Sequence, residues 1–217
     1  MQKLDLKQEL KYLYAPSAKK IELLQVPAFN FIMIDGAIEP DQAPATSPLF
    51  QDNTQALYSA AYTLKFAAKL RKDNPVDYPV MALEGLWWVE DGTFDIQKPG
   101  NWKYTVMILQ PDLVTPDMFT EALAQMSRKK GDQPAFARLR LECFHEGLCV
   151  QTLHIGPYAT EQATVERMQT FMQENGLRDR VGLGGKHHEI YMGDPRRSDP
   201  SRLKTVVRHP VEKLPPI

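Results

Sequence analysis

Hydrophobic periodicity divides the chain into two runs with the same order of elements, strand–strand–helix–strand–strand. The first run predicts strands Ile21–Val26 and Phe29–Ile34, an amphipathic helix Phe50–Leu70, and strands Val80–Val89 and Lys103–Leu109. The second run predicts strands Arg138–Phe144 and Leu148–Ile155, a helix Thr160–Asn175, and strands His187–Met192 and Leu203–Arg208. A short N-terminal helix is expected over residues 3–14, and Thr115-Pro116 opens a connecting helix through Lys129.

The two runs also align residue by residue where they begin. A shift of 120 positions brings together the following residues: Glu22 and Glu142, Pro27 and Gly147, Gly36 and Gly156. With the shared order of elements, this match predicts an internal duplication. Neither half has enough strands to cover both faces of a sheet. We therefore expect an α+β fold in which the halves share a core and leave a ligand groove between them.

Composition and charge exclude several classes of partner. The chain has 217 residues, of which 43% are hydrophobic and 24% charged, as in an ordinary globular protein. The net charge is −1 and lysine and arginine form no long run, so the basic surface of a nucleic-acid binder is not expected. No segment is apolar enough to cross a bilayer or to act as a secretion signal. We expect a cytoplasmic protein with no nucleic-acid or membrane partner, and the sequence leaves its oligomeric state open.

Two cysteines flank the predicted turn His145-Glu146-Gly147. Cys143 and Cys149 could face each other across that turn, so a disulfide is geometrically possible. In a chain without an export signal the reduced state is expected. The favoured interpretation is two small hydrophobic side chains in the core.

Side-chain alternation places a carboxylate beside an aromatic ring in both halves. Glu84 shares a strand face with Trp88, and Glu189 shares one with Tyr191 and His187. Because the opposite faces are more apolar, we expect those to pack on the helices and the glutamate faces to look into the groove. Aromatic walls suit flat, hydrophobic or cationic molecules. A carboxyl group buried among them has a raised pKa, which suits a general base or acid.

Plainer interpretations of these residues remain open. Glu84 or Glu189 can instead sit at a sheet edge and pair with a surface cation. His187 next to Glu189 raises the question of a metal site with His145 or His154 as a further ligand. No HExxH or paired-cysteine spacing is present, so we expect neither a metal nor a cofactor. No serine lies in a GxSxG elbow, which disfavours covalent catalysis.

Several motifs occur in the order found in one known family. They are LECFHEGLCVQTLHIGPYATEQATVERMQTFM and KHHEIYMGDPRRSDPSRLKTVVRHPV in the second half, and DLKQELKYLY, VPAFNFIMIDG, ALYSAAYTLKF and ALEGLWWVE in the first. Over essentially the whole chain they resemble the GyrI-like small-molecule-binding domain family, in its long, stand-alone branch. The resemblance implies a duplicated SHS2-type βαββ module with pseudo-two-fold symmetry and a central ligand groove. It also implies a single domain over 1–217, with an N-terminal helical extension (1–18), a first module (19–112), and a linking helix with the second module (113–217).

The resemblance also assigns residues. The groove glutamate of the family maps to Glu189 and the tyrosine of its GPY motif maps to Tyr158, which makes these two the candidate catalytic residues. The aromatic walls map to Trp88, Tyr191 and Tyr62. With Glu84 and His187 from the alternation argument, these complete the candidate ligand-binding set.

The resemblance implies hydrolysis of a small molecule, with binding or protection as alternatives. Stand-alone members similar to this chain include hydrolases of cyclopropane-bearing, DNA-alkylating natural products. Related transcription regulators carry a DNA-binding helix-turn-helix, for which the N-terminal residues here are too few. In the resulting hypothesis, a ligand stacks between Trp88 and Tyr191 while Glu189 takes a proton from a water that Tyr158 or Tyr191 orients. The alternatives are a non-catalytic protein that binds or sequesters a drug or metabolite and, with less support, a gyrase-protecting interaction protein.

Overall fold

The computed structural model describes residues 1–40, 42–92, 94–98 and 100–215. Its strands are β1 (Gln2–Lys3), β2 (Glu22–Ala37), β3 (Val76–Asp77), β4 (Leu83–Trp88), β5 (Lys103–Gln110), β6 (Arg140–Ile155), β7 (Leu177–Asp179), β8 (His187–Tyr191) and β9 (Lys204–Lys213). Its α-helices are α1 (Leu6–Glu9), α2 (Lys11–Tyr14), α3 (Pro48–Lys69), α4 (Pro116–Lys130), α5 (Pro134–Arg138) and α6 (Gln162–Glu174). The predicted α+β class is confirmed.

Six of the strands close into an antiparallel, barrel-like sheet. The strand order is β6-β2-β5-β4-β8-β9, and β9 pairs back onto β6 to complete the circle. The short β7 extends β9, and β1 and β3 form a separate parallel pair. Each half contributes one strand, a helix and two strands: β2-α3-β4-β5 in the first half and β6-α6-β8-β9 in the second.

The pairing between β2 and β6 has two-fold symmetry. Glu22 is opposite Gln151, and Phe31 is opposite Glu142. Moving each residue of the first pair by 120 positions into the other half produces the second pair. The shift found in the sequence is therefore the operation that relates the two strands in the sheet. The symmetric register supports the interpretation of the chain as two similar halves.

The two strands predicted at the start of each half are one continuous strand, so the turn predicted at His145-Glu146-Gly147 is wrong. Residues 22–37 and 140–155 are two continuous strands that pair with each other across the halves. Pro27 has no N–H to donate, which interrupts the pairing locally, and Gly147 takes the left-handed backbone with φ 82°. These residues, which look like turn signals, bend a long strand pair instead. Cys143 and Cys149 consequently lie along one strand as free thiols, so they do not face each other across a turn.

Smaller differences concern the chain ends and short elements. The N-terminal segment begins as a strand and continues as two single-turn helices that break at Leu10, where one helix was expected. The elements β1, β3, β7 and α5 were not predicted, and β9 continues to Lys213. The other helix and strand predictions lie within three residues of the observed bounds. None of the helices in the described part of the chain is long and apolar enough to span a membrane.

Two helices pack on strands to either side of the central pair β4 and β8, and we interpret the outer face between them as the expected ligand groove. Ser47 caps α3, accepting a hydrogen bond from the Phe50 amide, and the helix packs on β2 and β5 through small and apolar residues such as Ala60 and Leu64. In the second half, α6 packs against β6 and β7, with Met168 in a cluster that includes Val150. The central strands β4 and β8 therefore form the groove floor.

Candidate functional site

The register between β4 and β8 determines which side chains look into the groove. Gly85 is directly opposite Glu189, and Leu83 is opposite Tyr191. Residues directly opposite each other point to the same face of a sheet. Trp87 lies on this face too, because its Nε1 donates a hydrogen bond to the Tyr191 hydroxyl at 3.0 Å. Glu189 and Tyr191 thus face the groove on the helix side of the sheet.

Glu84 and Trp88 point the other way, so the prediction that they share a groove with Glu189 and Tyr191 is wrong. Glu84 is directly opposite Ile190 and contacts His188, inside the barrel. Trp88 lies on that inner face, with the Lys186 ammonium 3.4 Å from its ring centroid. Both faces of this central strand pair are buried, so polarity could not tell which one packs on the helices.

The groove floor brings together two glutamates and a histidine. Nε2 of His187 lies 3.2 Å from Oε1 of Glu189 and 3.3 Å from Oε1 of Glu161, the residue that precedes α6. Glu161 is fully buried, His187 is 1% exposed and Glu189 is 7% exposed. Neither oxygen of Glu161 has a well-oriented hydrogen bond from any residue that the structure describes, despite the short contact with His187. Glu189 is the member of this cluster that reaches the groove.

Burial and mutual charge shift the pKa values in the cluster. Burial, reinforced by the negative charge of Glu189, raises the pKa of the Glu161 carboxyl to about 7. Burial acts to lower the pKa of His187, but contact with Glu161 and Glu189 outweighs it and raises that pKa to about 9. At neutral pH the His187 ring is therefore protonated, and its positive charge offsets the repulsion between the two carboxyl groups.

A chain of hydrogen bonds supports His187 from behind. Its Nδ1 lies 2.7 Å from Nε2 of His209, and Nδ1 of His209 lies 2.7 Å from Oδ2 of Asp179. The Phe94 ring stacks on the imidazole of His187 at a centroid distance of 5.2 Å. His187 was predicted to bind ligand. The structure instead places it beneath the groove, where it contacts the two glutamates.

Tyrosines border Glu189 on its open side. The Tyr158 ring meets the Tyr191 ring edge-on at 6.0 Å, and Tyr158 is 40% exposed. Burial, with a smaller contribution from the charge of Glu189, raises the pKa of Tyr158 to about 12. Burial and the same carboxylate also raise the pKa of Tyr191. Both hydroxyls therefore keep their protons at neutral pH and can donate hydrogen bonds.

The aromatic surroundings differ from those expected. Trp87, and not Trp88, shares the sheet face of Glu189. Its ring is 1% exposed, and the Phe50 ring stacks on it at a centroid distance of 5.6 Å. Tyr62 lines a surface depression between α3 and α4. One turn earlier on α3, Tyr58 contacts the backbone of Leu83 at the groove floor.

Sequence reasoning missed Glu161, His209 and Asp179. Glu161 follows the GPY motif and precedes α6, but nothing in the residues 159–162 marks it as buried. His209 is on a strand whose predicted end was Arg208, one residue too early. Asp179 comes from a short strand that was not predicted. An exposed-looking acidic residue or a histidine near a chain end carries no local signal of burial, so only the packed structure identifies these three.

A second buried polar cluster occupies the inner face of the barrel. His188 contacts Glu84 at 3.0 Å through Nε2 and Glu146 at 2.9 Å through Nδ1, and Arg208 donates to Glu146 at 3.1 Å. The Tyr14 hydroxyl donates to Glu84. Arg208 also donates to the backbone oxygen of Leu13, which secures the N-terminal segment to the barrel.

Charges in this inner cluster balance. Burial alone would raise the pKa of Glu146, but the positive charges of His188 and Arg208 outweigh it and lower that pKa to about 2. Burial likewise opposes protonation of His188, yet its two carboxylate neighbours raise its pKa. Two carboxylates thus face two cations, and the remaining cavity beside them is about 10 Å³, roughly room for one water. We interpret this cluster as structural.

The fold and groove define a small-molecule-binding α+β domain. The model of the GyrI-like small molecule binding domain matches residues 19–212, and the chain belongs to this family. An uncharacterized conserved protein from Listeria innocua is 41% identical, with a TM-score of 0.86, over 96% of this chain and 100% of that one. No curated protein is significantly similar in sequence.

Two further similar structures are described as hydrolases, both from Listeria innocua. One is 38% identical with a TM-score of 0.82 and covers 96% of this chain and 100% of its own. The other is 39% identical with a TM-score of 0.84 and covers 97% of this chain and 100% of its own. The EcmrR C-terminal domain shares the fold at 12% identity and a TM-score of 0.54, covering 90% of this chain and 98% of its own.

Proposed function

We propose that this protein is a hydrolase that binds a small hydrophobic or cationic organic molecule in the groove and opens a strained, cyclopropane-type ring with water activated by Glu189. The observation that carries the proposal is the position of this carboxylate, which contacts buried His187 on one side and lies near the Tyr158 and Tyr191 side chains on the other. The description of relatives at 38% and 39% identity as hydrolases supports a catalytic role.

The reaction adds one water across a carbon–carbon bond. Glu189 accepts a proton from the water while the water oxygen bonds to a ring carbon. The ring bond breaks, and its electron pair moves to a conjugated electron-withdrawing group of the substrate, which then takes up a proton. General-base assistance of this kind contributes about 10²–10⁴ in rate, which is sufficient for a substrate that is already reactive.

The tyrosines have different roles in this proposal. Since Trp87 donates to the Tyr191 hydroxyl, the hydrogen of that hydroxyl is free to point at the nearby Glu189 and hold it in place. Tyr158 is more exposed and stands on the groove side, where it orients the water or supports the developing charge on the substrate. The Glu189 carboxylate beside the Tyr158 and Tyr191 rings makes a cationic ligand favourable.

Mass spectrometry of cyclopropane- and epoxide-bearing compounds incubated with the protein tests the proposal. The expected product gains the mass of one water. Glu189→Gln should lower turnover by about 10²–10⁴ and keep ligand affinity, because the amide fills the same space but cannot accept the proton. Glu166→Gln is the matched control, since Glu166 is an exposed glutamate on α6 that pairs only with Gln162 among the described residues. Unchanged turnover in Glu189→Gln would refute the role as base.

A second candidate function is binding without catalysis, which the description of the family favours. A pure binding protein has no need of the hydroxyls of Tyr158 and Tyr191. The double variant Tyr158→Phe/Tyr191→Phe separates the two functions when affinity and breakdown are measured independently. Loss of breakdown with retained affinity supports the hydrolase, whereas binding of several compounds without breakdown by the wild type supports sequestration.

We also infer that the two halves arose by duplication of one SHS2-type βαββ module. The symmetric register of β2 and β6 and the shared order of elements support this origin.

A further inference from the structure

The cluster beneath the groove contains two glutamate side chains, and the positive group that contacts them is the titratable ring of His187. Within the described part of the chain, neither Glu161 nor Glu189 forms an ion pair with a lysine or arginine. Both face the same ring nitrogen of His187. Among the described residues the charged contact of fully buried Glu161 is the His187 ring, and neither of its oxygens has an oriented hydrogen bond, so this carboxyl group points to a bound species.

Hydrogen bonds behind His187 determine which of its nitrogens faces the glutamates. Because the Asp179 carboxylate accepts, Nδ1 of His209 carries the hydrogen, and Nε2 of His209 then accepts from Nδ1 of His187. This leaves Nε2 of His187 to the two carboxylates. A histidine whose second nitrogen donates into a chain that ends on a carboxylate is the usual support of a metal-binding imidazole.

The distances fit ligands that share one ion. Ligand atoms bound tetrahedrally at about 2.0–2.2 Å from a zinc-like ion lie roughly 3.3–3.6 Å apart, close to the separations seen here. Nε2 of His187 is 3.2 Å from Oε1 of Glu189 and 3.3 Å from Oε1 of Glu161. One atom from each of the three residues lies within 4.8 Å of the others. Glu189 is the least buried of the three at 7% exposure, so a water or a ligand would take the fourth position from its side.

We propose that Glu161, His187 and Glu189 bind a divalent cation of the zinc class. One imidazole and two carboxylates favour Zn²⁺ or Co²⁺ over Mg²⁺, which takes mainly oxygen ligands and water. The sequence predicted no metal because Glu161, which precedes α6, is distant along the chain from His187 and Glu189 on β8.

Metal binding is measured without substrate. The full-length protein is freed of metal with a chelator and titrated with Co²⁺, followed by visible absorption, and with Zn²⁺ and Mg²⁺, followed by calorimetry. We expect one Zn²⁺ or Co²⁺ per chain and at least about 100-fold weaker binding of Mg²⁺. Glu161→Gln should weaken Co²⁺ binding by more than about 100-fold, and Asp179→Asn by about 10–100-fold through the loss of support for His209. Glu166→Gln should bind as the wild type does.

Circular dichroism of each variant shows whether it is folded, and Asp179→Asn keeps the test valid if Glu161→Gln does not fold. Absence of Zn²⁺ and Co²⁺ binding by the wild type overturns the inference, as does binding that neither variant weakens. Because the binding readout is independent of turnover, a protein that binds Zn²⁺ but hydrolyses nothing contradicts only the proposed function. A protein that hydrolyses its substrate but binds no ion contradicts only the metal site.

Discussion

A methyl group added at Gly85 should disturb the groove floor directly opposite Glu189. A Cβ at this position would lie 2.7 Å from Nε1 of Trp87 and 3.0 Å from the hydroxyl of Tyr191. Trp87 cannot give way, since it is 1% exposed and is packed by Phe50. The Tyr191 side chain is only partly buried, so we expect Gly85→Ala to displace Tyr191 and break its hydrogen bond to Trp87.

The loss of stability in Gly85→Ala follows from these contacts. Overpacking in a well-packed region costs about 1–3 kcal/mol, and the lost hydrogen bond adds about 1 kcal/mol. We therefore expect the free energy of unfolding to fall by about 2–4 kcal/mol. If Tyr191 holds Glu189 as proposed, turnover should also fall by at least about tenfold, which corresponds to about 1.4 kcal/mol in the barrier.

Urea unfolding followed by circular dichroism measures the first effect, and turnover of the folded variant measures the second. Gly100→Ala is the control, because a Cβ there meets no described atom within 4 Å, and we expect its stability to stay within about 0.5 kcal/mol of the wild type. Wild-type stability in Gly85→Ala would refute the register that puts this glycine between Trp87 and Tyr191. Lower stability with unchanged turnover would refute only the role of Tyr191.

Two further predictions concern the inner cluster. Glu146→Gln leaves His188 and Arg208 with less compensation and should cost about 3–5 kcal/mol at pH 7. The folded pKa of Glu146 is about 2 against an ordinary 4.5, so its stabilisation is complete above pH 4.5 and is lost as the pH falls towards 2. The difference between wild type and variant in urea titrations should therefore shrink by roughly 3 kcal/mol over that range, and a constant difference would contradict the ionic role of Glu146. Tyr14→Phe removes the hydrogen bond to the Glu84 carboxylate and should cost about 1.5–3 kcal/mol in the same assay; wild-type stability would show that the N-terminal segment is held by other contacts.

Local patterns in the sequence were sufficient for the elements and for part of the site. Helical spacing found α3, α4 and α6, and alternation found the strands, because both depend on neighbours within a few residues. The shift of 120 positions predicted an internal duplication, which the symmetric register of β2 and β6 supports. The face shared by Glu189, Tyr191 and His187 followed from alternation alone.

The turn signals at Pro27 and Gly147 misled because their meaning depends on the partner strand. In isolation each suggests a hairpin, yet both lie at the centre of the long β2–β6 pair, where a bend is needed rather than a reversal. The pairing of two strands more than a hundred residues apart is not visible in either one. The possibility that Cys143 and Cys149 face each other across a turn was wrong for the same reason.

By itself, the sequence determined the α+β class, the order of the elements and the resemblance that led to a family of small-molecule-binding domains. Only the tertiary structure decided that Glu84 lies inside the barrel while Glu189 faces the groove, because the register between β4 and β8 sets the shared face. It also brought Glu161 and the His209–Asp179 pair to His187 from distant segments. Alternation tells which residues share a face, but the choice of face and of neighbours depends on packing between segments that no local pattern encodes.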